Sequence, residues 1–397
     1  MSKSEDGKLR GNLIHYLAPR ILALGFSILF VLLIGEVALR LAPQLLPKGH
    51  YGSGRFDENL RLKVHGSSAI YNKVRFVRRT PNTAGFMDID HETPKPEGTT
   101  RIGFFGDSYV ESLQVPLSQT FFSGLGHELH RQRVETYSLG ISGWGTLHSL
   151  LAYQALADER ELDVVVYVFV ENDPGDNSYA VRGAQKGGLT PSPSAVLDES
   201  PPGFEIRWPT DPAKLPLSYR VGKWIQNRSL LAKLLNSRLQ LIAQQGALPE
   251  NENVGGAEPK RKRAVNQNDL PSTWPSALLS ETKELSERIL TEFVSIVRRD
   301  GRKIFVLYVP RGTTEVDGTL AENERWLSWL TTVTDRLDVA LLDPTKALRK
   351  RQAAGRPVYD DHWSPDGHEV IAEFLADNLC TQLPELGCER ELSENGE

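Results

Sequence analysis

The sequence lacks an excess of positive charge. It has 46 lysines and arginines against 51 aspartates and glutamates, a formal net charge of −5 at pH 7 and a pI near 6.1. Proteins that bind nucleic acid usually present a basic face, so this composition excludes a general attraction to nucleic acid, and we expect no nucleic-acid partner. The one basic cluster, Lys260-Arg261-Lys262-Arg263, lies in polar sequence and predicts a solvated loop, with a contact to nucleic acid or anionic lipid as the alternative.

Cysteine is scarce as well. The only two cysteines, Cys380 and Cys388, flank a short segment near the C-terminus. Two interpretations stay open. Either a disulfide closes this short loop, if that part of the chain lies outside the cytoplasm, or the two residues are unrelated free thiols.

Only one long apolar run is present, close to the N-terminus. It begins at Ile21 and carries no charge through Gly35, and Glu36 is the first charge to interrupt it. Nineteen helical positions rise about 28 Å, which is close to the thickness of the hydrocarbon core of a bilayer. The run therefore predicts a single transmembrane helix over residues 21–41, in which Arg40 pairs with Glu36 one turn earlier.

Basic residues precede the apolar run, at Lys3, Lys8, Arg10 and Arg20. They predict that residues 1–20 lie in the cytoplasm and that the rest of the chain lies in the periplasm or an equivalent extracytoplasmic space, held at the cell (inner) membrane by one span. No clear small-x-small cleavage site follows the run, which favours an anchor over a cleaved signal peptide. A buried core helix is the third alternative, and it is disfavoured because the apolar run shows no amphipathic pattern.

Beyond the anchor, the chain divides by composition. Residues 42–99 predict a tether followed by short strands on the flank of the main domain. No catalytic or binding motif is recognisable in this segment. Residues 100–380 alternate strand and helix patterns, except for an insertion over 180–275, and residues 381–397 form a C-terminal tail. The insertion contains a helix predicted over 220–244, which is either a lid or substrate platform above a site or a helix that packs its apolar stripe on the domain.

The strand patterns of the main domain are short apolar runs. They are predicted at Ile102–Phe105, Val134–Ser138, Val164–Val170, Lys303–Val309 and Val339–Leu342. Helical patterns are predicted at Thr120–Gln132, Thr146–Asp158, Ser280–Arg299, Leu320–Leu337 and Pro365–Leu379. This alternation implies parallel βα units, and it predicts an α/β, flavodoxin-like three-layer sandwich with about five parallel strands.

Polar segments follow the strands, at points that a parallel sheet brings to one edge. They are Gly106-Asp107-Ser108, Leu139 to Gly145, Glu171-Asn172-Asp173 and Asp360-Asp361-His362-Trp363. Each has an ordinary interpretation, as a turn, a cap, a surface charge or a structural histidine. Their appearance in order at successive strand ends instead indicates the parts that acyl transfer requires.

Each part has a physical role in that chemistry. A serine is a poor nucleophile at neutral pH, so Ser108 needs an imidazole to take its proton, and His362 is the candidate base. Asp360 is the carboxylate placed to orient that imidazole. The N–H groups of Ser108 and Gly143 and the side-chain amide of Asn172 are candidate donors for an oxyanion hole. Neither a metal nor an organic cofactor is called for.

With these residues in place, the chain resembles the SGNH, or GDSL-like, hydrolase superfamily. The resemblance covers Arg101 to Leu379 apart from the insertion, and it implies a nucleophile at Ser108, oxyanion donors at Gly143 and Asn172, and a base at His362. Two positions depart from the family pattern. Val170 stands where the third block usually has glycine, and Tyr359, not an aspartate, stands three residues before the histidine.

The last block is similar instead to the Asp-x-His-Trp signature of alginate-acetyltransferase-like branches. The resemblance to the hydrolase superfamily as a whole, together with the predicted anchor, implies a membrane-anchored serine esterase that acts on an acyl or acetyl ester of an extracytoplasmic carbohydrate or lipid. An O-acetyltransferase of a cell-envelope or secreted polysaccharide, working with other envelope-polysaccharide machinery, is the alternative. A non-catalytic envelope-binding protein on a hydrolase scaffold is the third.

Overall fold

The computed structural model describes residues 3–50, 69–184, 192–207, 216–246, 273–312 and 319–388. The basic cluster at 260–263 and much of the predicted insertion and tail lie outside these ranges. By contacts along the chain, the molecule divides into two compact units. The first unit comprises Met1–Tyr51 and Leu217–Gly256, and the second comprises Gly52–Pro216 and Ala257–Glu397.

The strands, in chain order, are β1 (Gly49–His50), β2 (Ala69–Asn72), β3 (Phe76–Arg79), β4 (Thr100–Gly106), β5 (Val134–Gly140), β6 (Val164–Phe169), β7 (Ser194–Leu197), β8 (Phe204–Arg207), β9 (Lys303–Tyr308) and β10 (Ala340–Leu342). The helices are α1 (Lys3–Leu41), α2 (Ser108–Glu111), α3 (Phe121–Glu128), α4 (Thr146–Leu156), α5 (Asp173–Asn177), α6 (Tyr179–Ala184), α7 (Leu217–Arg228), α8 (Leu230–Gly246), α9 (Ser276–Arg299), α10 (Thr319–Arg336), α11 (Thr345–Ala353) and α12 (Pro365–Gln382).

The second unit is built on a five-stranded parallel sheet with the order β10-β9-β6-β4-β5. The first strand of this sheet along the chain, β4, lies between the second and the third. That is the flavodoxin-like order, in which the direction of winding reverses next to the first strand and leaves a crevice at the carboxyl ends. The predicted fold class is confirmed, and Ser108 directly follows β4 at the crevice.

Helices cover both faces of the sheet because its strands are apolar on both faces. All six residues of β6 are buried, and successive residues enter opposite layers. Val164, Val166 and Val168 pack in the layer formed with α2, α3, α11 and α12. Val165, Tyr167 and Phe169 pack in the layer formed with α4, α9 and α10.

Two glycines open the space from which the candidate nucleophile projects. Gly106 and Gly140 are directly paired between β4 and β5. A Cβ at Gly140 would lie 2.4 Å from the Cβ of Val110, and a Cβ at Gly106 would lie 2.8 Å from a methyl group of the same valine. Because both positions lack a side chain, α2 packs its Val110 directly on the strand ends, which fixes Ser108 at the start of this helix.

The segment between residues 69 and 79, in the stretch predicted to be a tether and flank, forms an antiparallel hairpin. Its strands β2 and β3 pair in a register that joins Ala69 to Arg79 and Asn72 to Phe76. Near the C-terminus, a disulfide joins Cys380, in the last turn of α12, to Cys388 beyond this helix, so the disulfide interpretation is the one the structure adopts.

The first unit contains the apolar run. α1 includes a stretch of 26 residues, Tyr16–Leu41, that is long and apolar enough to cross a membrane. Its most apolar window of 18 residues has a mean hydropathy of 2.5 and is not buried. The helix already begins at Lys3, within the stretch predicted as a cytoplasmic N-terminus. Arg40 Nε lies 2.7 Å from Glu36 Oε1, which confirms the predicted pair.

The helix predicted over 220–244 is two helices, α7 and α8, so the single-helix prediction is wrong. The break falls at Ser229, whose Oγ accepts a hydrogen bond of 3.0 Å from the N–H of Ala232. A serine that bonds in this way caps the start of a new helix. Both helices group with α1 in the first unit.

Gly140→Ala should lower the free energy of unfolding by about 1–3 kcal/mol, because the added methyl group overpacks Val110. Chemical unfolding of the purified chain measures the effect. Gly222→Ala in α7 is the matched control, since no atom lies within 4 Å of its added Cβ. Equal stability of the two variants would contradict the packing account.

Candidate active site

Ser108 and His362 lie in direct contact although 254 residues separate them in the sequence. Ser108 Oγ lies 2.6 Å from His362 Nε2. Ser108 begins α2 at the carboxyl end of β4, and His362 lies in the loop that leads into α12. The sheet edge therefore brings together the two residues that the sequence assigned as nucleophile and base.

The loop that carries His362 is held by aromatic packing. Trp363 is fully buried, and its ring centroid lies 4.9 Å from that of Tyr109 and 5.7 Å from that of Phe121. The Tyr109 ring also lies 4.6 Å from the His362 ring. Asp360 N–H donates to the carbonyl of His362 over 3.0 Å and closes the turn. Packing among these aromatic rings thus fixes the position of the imidazole.

The carboxylate beside the imidazole is that of Asp361. Its Oδ2 lies 3.4 Å from His362 Nδ1, within ion-pair distance although outside good hydrogen-bond geometry. The sequence predicted Asp360 at this position, but the Asp360 carboxylate is paired with Arg75 instead. The turn directs the two adjacent carboxylates to different partners, and this geometry favours Asp361 over Asp360 as the acid beside the imidazole.

The β2–β3 hairpin supplies the partners of both acids. Lys73 Nζ lies 2.9 and 3.1 Å from the two carboxylate oxygens of Asp361, and the Tyr71 hydroxyl donates to Oδ2 over 3.4 Å. The His362 ring, and then the Lys73 ammonium, hold the pKa of Asp361 well below its usual range. Burial raises the pKa of Asp360, and the Arg75 guanidinium opposes that shift.

No chemistry was predicted for this hairpin from the sequence. Tyr71, Lys73 and Arg75 are spaced by two residues, a pattern typical of one face of a strand. In the structure Tyr71 lies in β2, and Lys73 and Arg75 lie in the turn between β2 and β3. That spacing is the one signal in the sequence, and it equally fits a solvated strand face.

The candidate oxyanion donors surround the start of α2. Gly143 has a φ of +79°, and no atom lies within 4 Å of the position a Cβ would take, so the backbone here is open to a ligand. Among the described residues, the N–H groups of Ser108 and Gly143 have no acceptor. Ser142 N–H donates to Glu111 Oε2 over 2.9 Å, which ties the glycine loop to α2.

Asn172 is linked to the same site through two carboxylates. Its Nδ2 donates to Asp176 Oδ2 over 2.8 Å and to Asp107 Oδ2 over 3.4 Å. Arg182 binds Asp176 at a distance of 2.8 Å and also donates to the Gly143 carbonyl. One chain of contacts therefore joins the glycine loop to the residue that precedes Ser108.

Two buried acids at the sheet edge have pKa values above their ordinary range. Burial raises the pKa of Asp107 to about 6, while the N–H of Tyr109, 2.9 Å from its Oδ1, opposes the shift. Burial raises the pKa of Glu171 to about 7 against the attraction of Arg311, whose Nη1 lies 2.6 Å away. Within the described ranges, no group of three or more His, Cys, Asp or Glu side chains is arranged to hold a metal ion.

The carboxyl of Asp107 should make stability depend on pH. Its pKa rises from 3.8 unfolded to about 6 folded, so the folded state holds the proton more tightly. Stability therefore falls as pH rises from about 4 to 6, by on the order of 3 kcal/mol from this group, and is level above that range. Asp107→Asn keeps an acceptor for the helix start and should flatten this slope.

Urea unfolding midpoints at several pH values between 4 and 7 measure the slope. Ser108→Ala, which retains the Asp107 carboxyl, is the control and should keep the slope of the wild type. An unchanged slope in Asp107→Asn would show that this carboxyl does not titrate in that window.

Comparison with known proteins yields similar solved structures only: no family model and no curated protein matches. A G-D-S-L family lipolytic protein from Desulfitobacterium hafniense is 9% identical, with 70% of this chain and 99% of that chain covered and a TM-score of 0.36. The acetylxylan esterase Axe2 from Geobacillus stearothermophilus is 12% identical, with 74% and 96% covered and a TM-score of 0.38. The esterase EstA from Pseudoalteromonas is 9% identical, with 72% and 99% covered and a TM-score of 0.38.

Proposed function

We propose that this chain is a membrane-anchored serine esterase of the SGNH, or GDSL-like, type. It hydrolyses an acyl or acetyl ester of an extracytoplasmic carbohydrate or lipid. The observation that carries the proposal is the 2.6 Å separation of Ser108 Oγ and His362 Nε2 at the carboxyl edge of a flavodoxin-like sheet.

In the proposed reaction, His362 Nε2 takes the proton of Ser108 as Oγ attacks the ester carbonyl carbon. The tetrahedral intermediate then collapses, the C–O bond to the alcohol breaks, and the alcohol leaves with the proton from His362. Water repeats the sequence on the acyl-enzyme: His362 takes a proton from water, the carboxylic acid is released and Ser108 regains its proton.

Asp361 stabilises the imidazolium that forms in both steps. For this role the carboxylate must be ionised at neutral pH, and its low pKa satisfies that requirement. Lys73 and Tyr71 hold the carboxylate against the ring without contacting the reacting atoms themselves.

The oxyanion is bound by the N–H groups of Ser108 and Gly143 and by the side-chain amide of Asn172. Preorganised donors stabilise the charge of the transition state because they need no reorientation during the reaction. Asp176 holds the amide of Asn172, and its ion-pair partner Arg182 holds the carbonyl of Gly143, next along the backbone from the donor N–H.

The apolar stretch Tyr16–Leu41 of α1 supports the proposed location. Lys3, Lys8 and Arg10 precede this stretch in the sequence, which favours a cytoplasmic N-terminus and an exported site. The proposed partners are the membrane, through α1, and an acylated envelope carbohydrate or lipid as substrate.

An O-acetyltransferase is the second candidate, and the order Asp360-x-His362-Trp363 favours it. The acyl-enzyme would be the same, but a sugar hydroxyl would replace water as the acceptor. Because only one candidate span is found in the described residues, an acyl donor would have to be supplied on the outer side by other envelope-polysaccharide machinery.

Ser108→Ala should abolish hydrolysis of p-nitrophenyl acetate and labelling by a fluorophosphonate, since both require the serine oxygen. The full chain in detergent is assayed, with Ser142→Ala, a serine in the neighbouring glycine loop, as the matched control. Hydrolysis and labelling that persist in Ser108→Ala would overturn both the esterase and the transferase. Turnover that rises with added oligosaccharide and yields acetylated sugar would favour the transferase.

Asp361→Asn should lower kcat by roughly 10³-fold, because the imidazolium loses its counter-charge. Asp360→Asn, one residue earlier, is the matched control and should change kcat by less than about 10-fold, since that carboxylate pairs with Arg75. Steady-state kinetics on the same ester measure both. The reverse order of losses would return the role to Asp360.

A further inference from the structure

The two helices α7 and α8 have an unusual distribution of charge. The 30 residues from Leu217 to Gly246 contain no aspartate or glutamate, although acidic residues outnumber basic ones in the whole chain. They contain five basic residues: Arg220, Lys223, Arg228, Lys233 and Arg238. A basic amphipathic helix of this kind is typical of a surface that meets anionic groups.

α7 exposes its apolar face. Leu217, Val221, Trp224 and Ile225 recur at helical spacing on one side of the helix, and all four are exposed. The Trp224 side chain is 58% exposed. Exposed apolar residues continue in α8 at Leu235 and Leu239, one turn apart. Exposed apolar residues on both helices indicate a partner that removes them from water.

A carboxylate in α1 fixes the start of α8. Glu36 Oε2 accepts from Ser229 Oγ over 2.8 Å and from the N–H of Leu231 over 3.0 Å, and Glu36 Oε1 accepts from the N–H of Leu230 over 3.2 Å. The first N–H groups of a helix have no partner within it, and their positive end attracts an anion. Arg40 adds a bond of 2.7 Å to the carbonyl of Arg228, so the junction of α7 and α8 is held from both sides.

The position of Glu36 along α1 determines the depth of the α7–α8 junction in the membrane. Glu36 directly follows the uncharged stretch from Ile21 to Gly35 and lies five residues before the end of the apolar stretch at Leu41, which corresponds to about 8 Å of helix rise. The α7–α8 junction is therefore attached near the outer end of the proposed span, close to the level of the lipid headgroups. Trp224 suits that level, since tryptophan is enriched at membrane interfaces, and Arg228 lies 4.7 Å above its ring.

We propose that α7 and α8 form an interfacial element that lies on the outer surface of the membrane beside the anchor. The apolar face of α7 enters the boundary between headgroups and acyl chains, and the basic residues contact anionic phospholipid headgroups. The occupant of this surface is the bilayer, because the surface is attached to the helix that spans it and its charge complements anionic lipid.

Depth-dependent fluorescence quenching tests the proposal on the full-length chain. Trp224→Cys is labelled with an environment-sensitive dye and reconstituted into vesicles of phosphatidylethanolamine and phosphatidylglycerol that carry a spin label either near the headgroup or deep in the acyl chain. The two native cysteines form a disulfide and do not compete for the dye. Gln226→Cys, two residues and about 200° further round α7, is the matched control. Phe30→Cys reports a position near the middle of the apolar stretch Tyr16–Leu41.

The dye at position 224 should be quenched several-fold more by the shallow label than by the deep one, and several-fold more than the dye at position 226. A dye at position 224 with the emission of a water-exposed group would overturn the proposal. A shielded dye that neither spin label quenches would also overturn it, because a second copy or another protein would then cover the face.

This inference depends on the proposed anchor but not on the proposed activity, and the label at position 30 separates the two failures. Deep quenching at position 30 without quenching at position 224 refutes only the interfacial element. Absence of quenching at both positions refutes the anchor itself. Esterase activity is not measured, so neither outcome bears on Ser108.

Discussion

The contact between Ser108 Oγ and His362 Nε2 is the interaction on which the rest of the site depends. Neither residue is rigid alone, since one begins a four-residue helix and the other lies in a turn. Rigidity comes from what is packed beneath them. The paired glycines of β4 and β5 admit Val110, and the buried Trp363 locks the turn against Tyr109. Core packing thus holds together two residues that lie 254 positions apart in the sequence.

Charge is distributed unevenly around this contact. The pKa of Asp361, which faces the imidazole, is lowered by the His362 ring and then by Lys73 of the hairpin, whereas burial raises the pKa values of Asp107 and Glu171. This separation concentrates stable negative charge on the side of the histidine that must become positive. Few uncompensated anions then remain near the place where an oxyanion would form.

Local patterns were sufficient to predict the strands, their parallel arrangement and the serine and histidine, because a buried parallel strand is a short apolar run and its end is marked by glycine. The identity of the acid was not predictable in this way. Asp360 and Asp361 are adjacent and chemically identical, and their partners, Arg75 and Lys73, lie almost 290 residues earlier. The break at Ser229 was also missed, since its cause is partly a carboxylate in α1 and the apolar spacing runs through it.

The hairpin has a consequence for how such an enzyme could leave the membrane. Residues 71–75 precede the first strand of the parallel sheet, yet their side chains hold both acids of the histidine turn. A cut just before β4 would separate the five-stranded core from α1 in sequence and leave Lys73 on the fragment that contains α1. A fragment that lacks α1 therefore keeps the partner of Asp361 only when the cut falls upstream of β2.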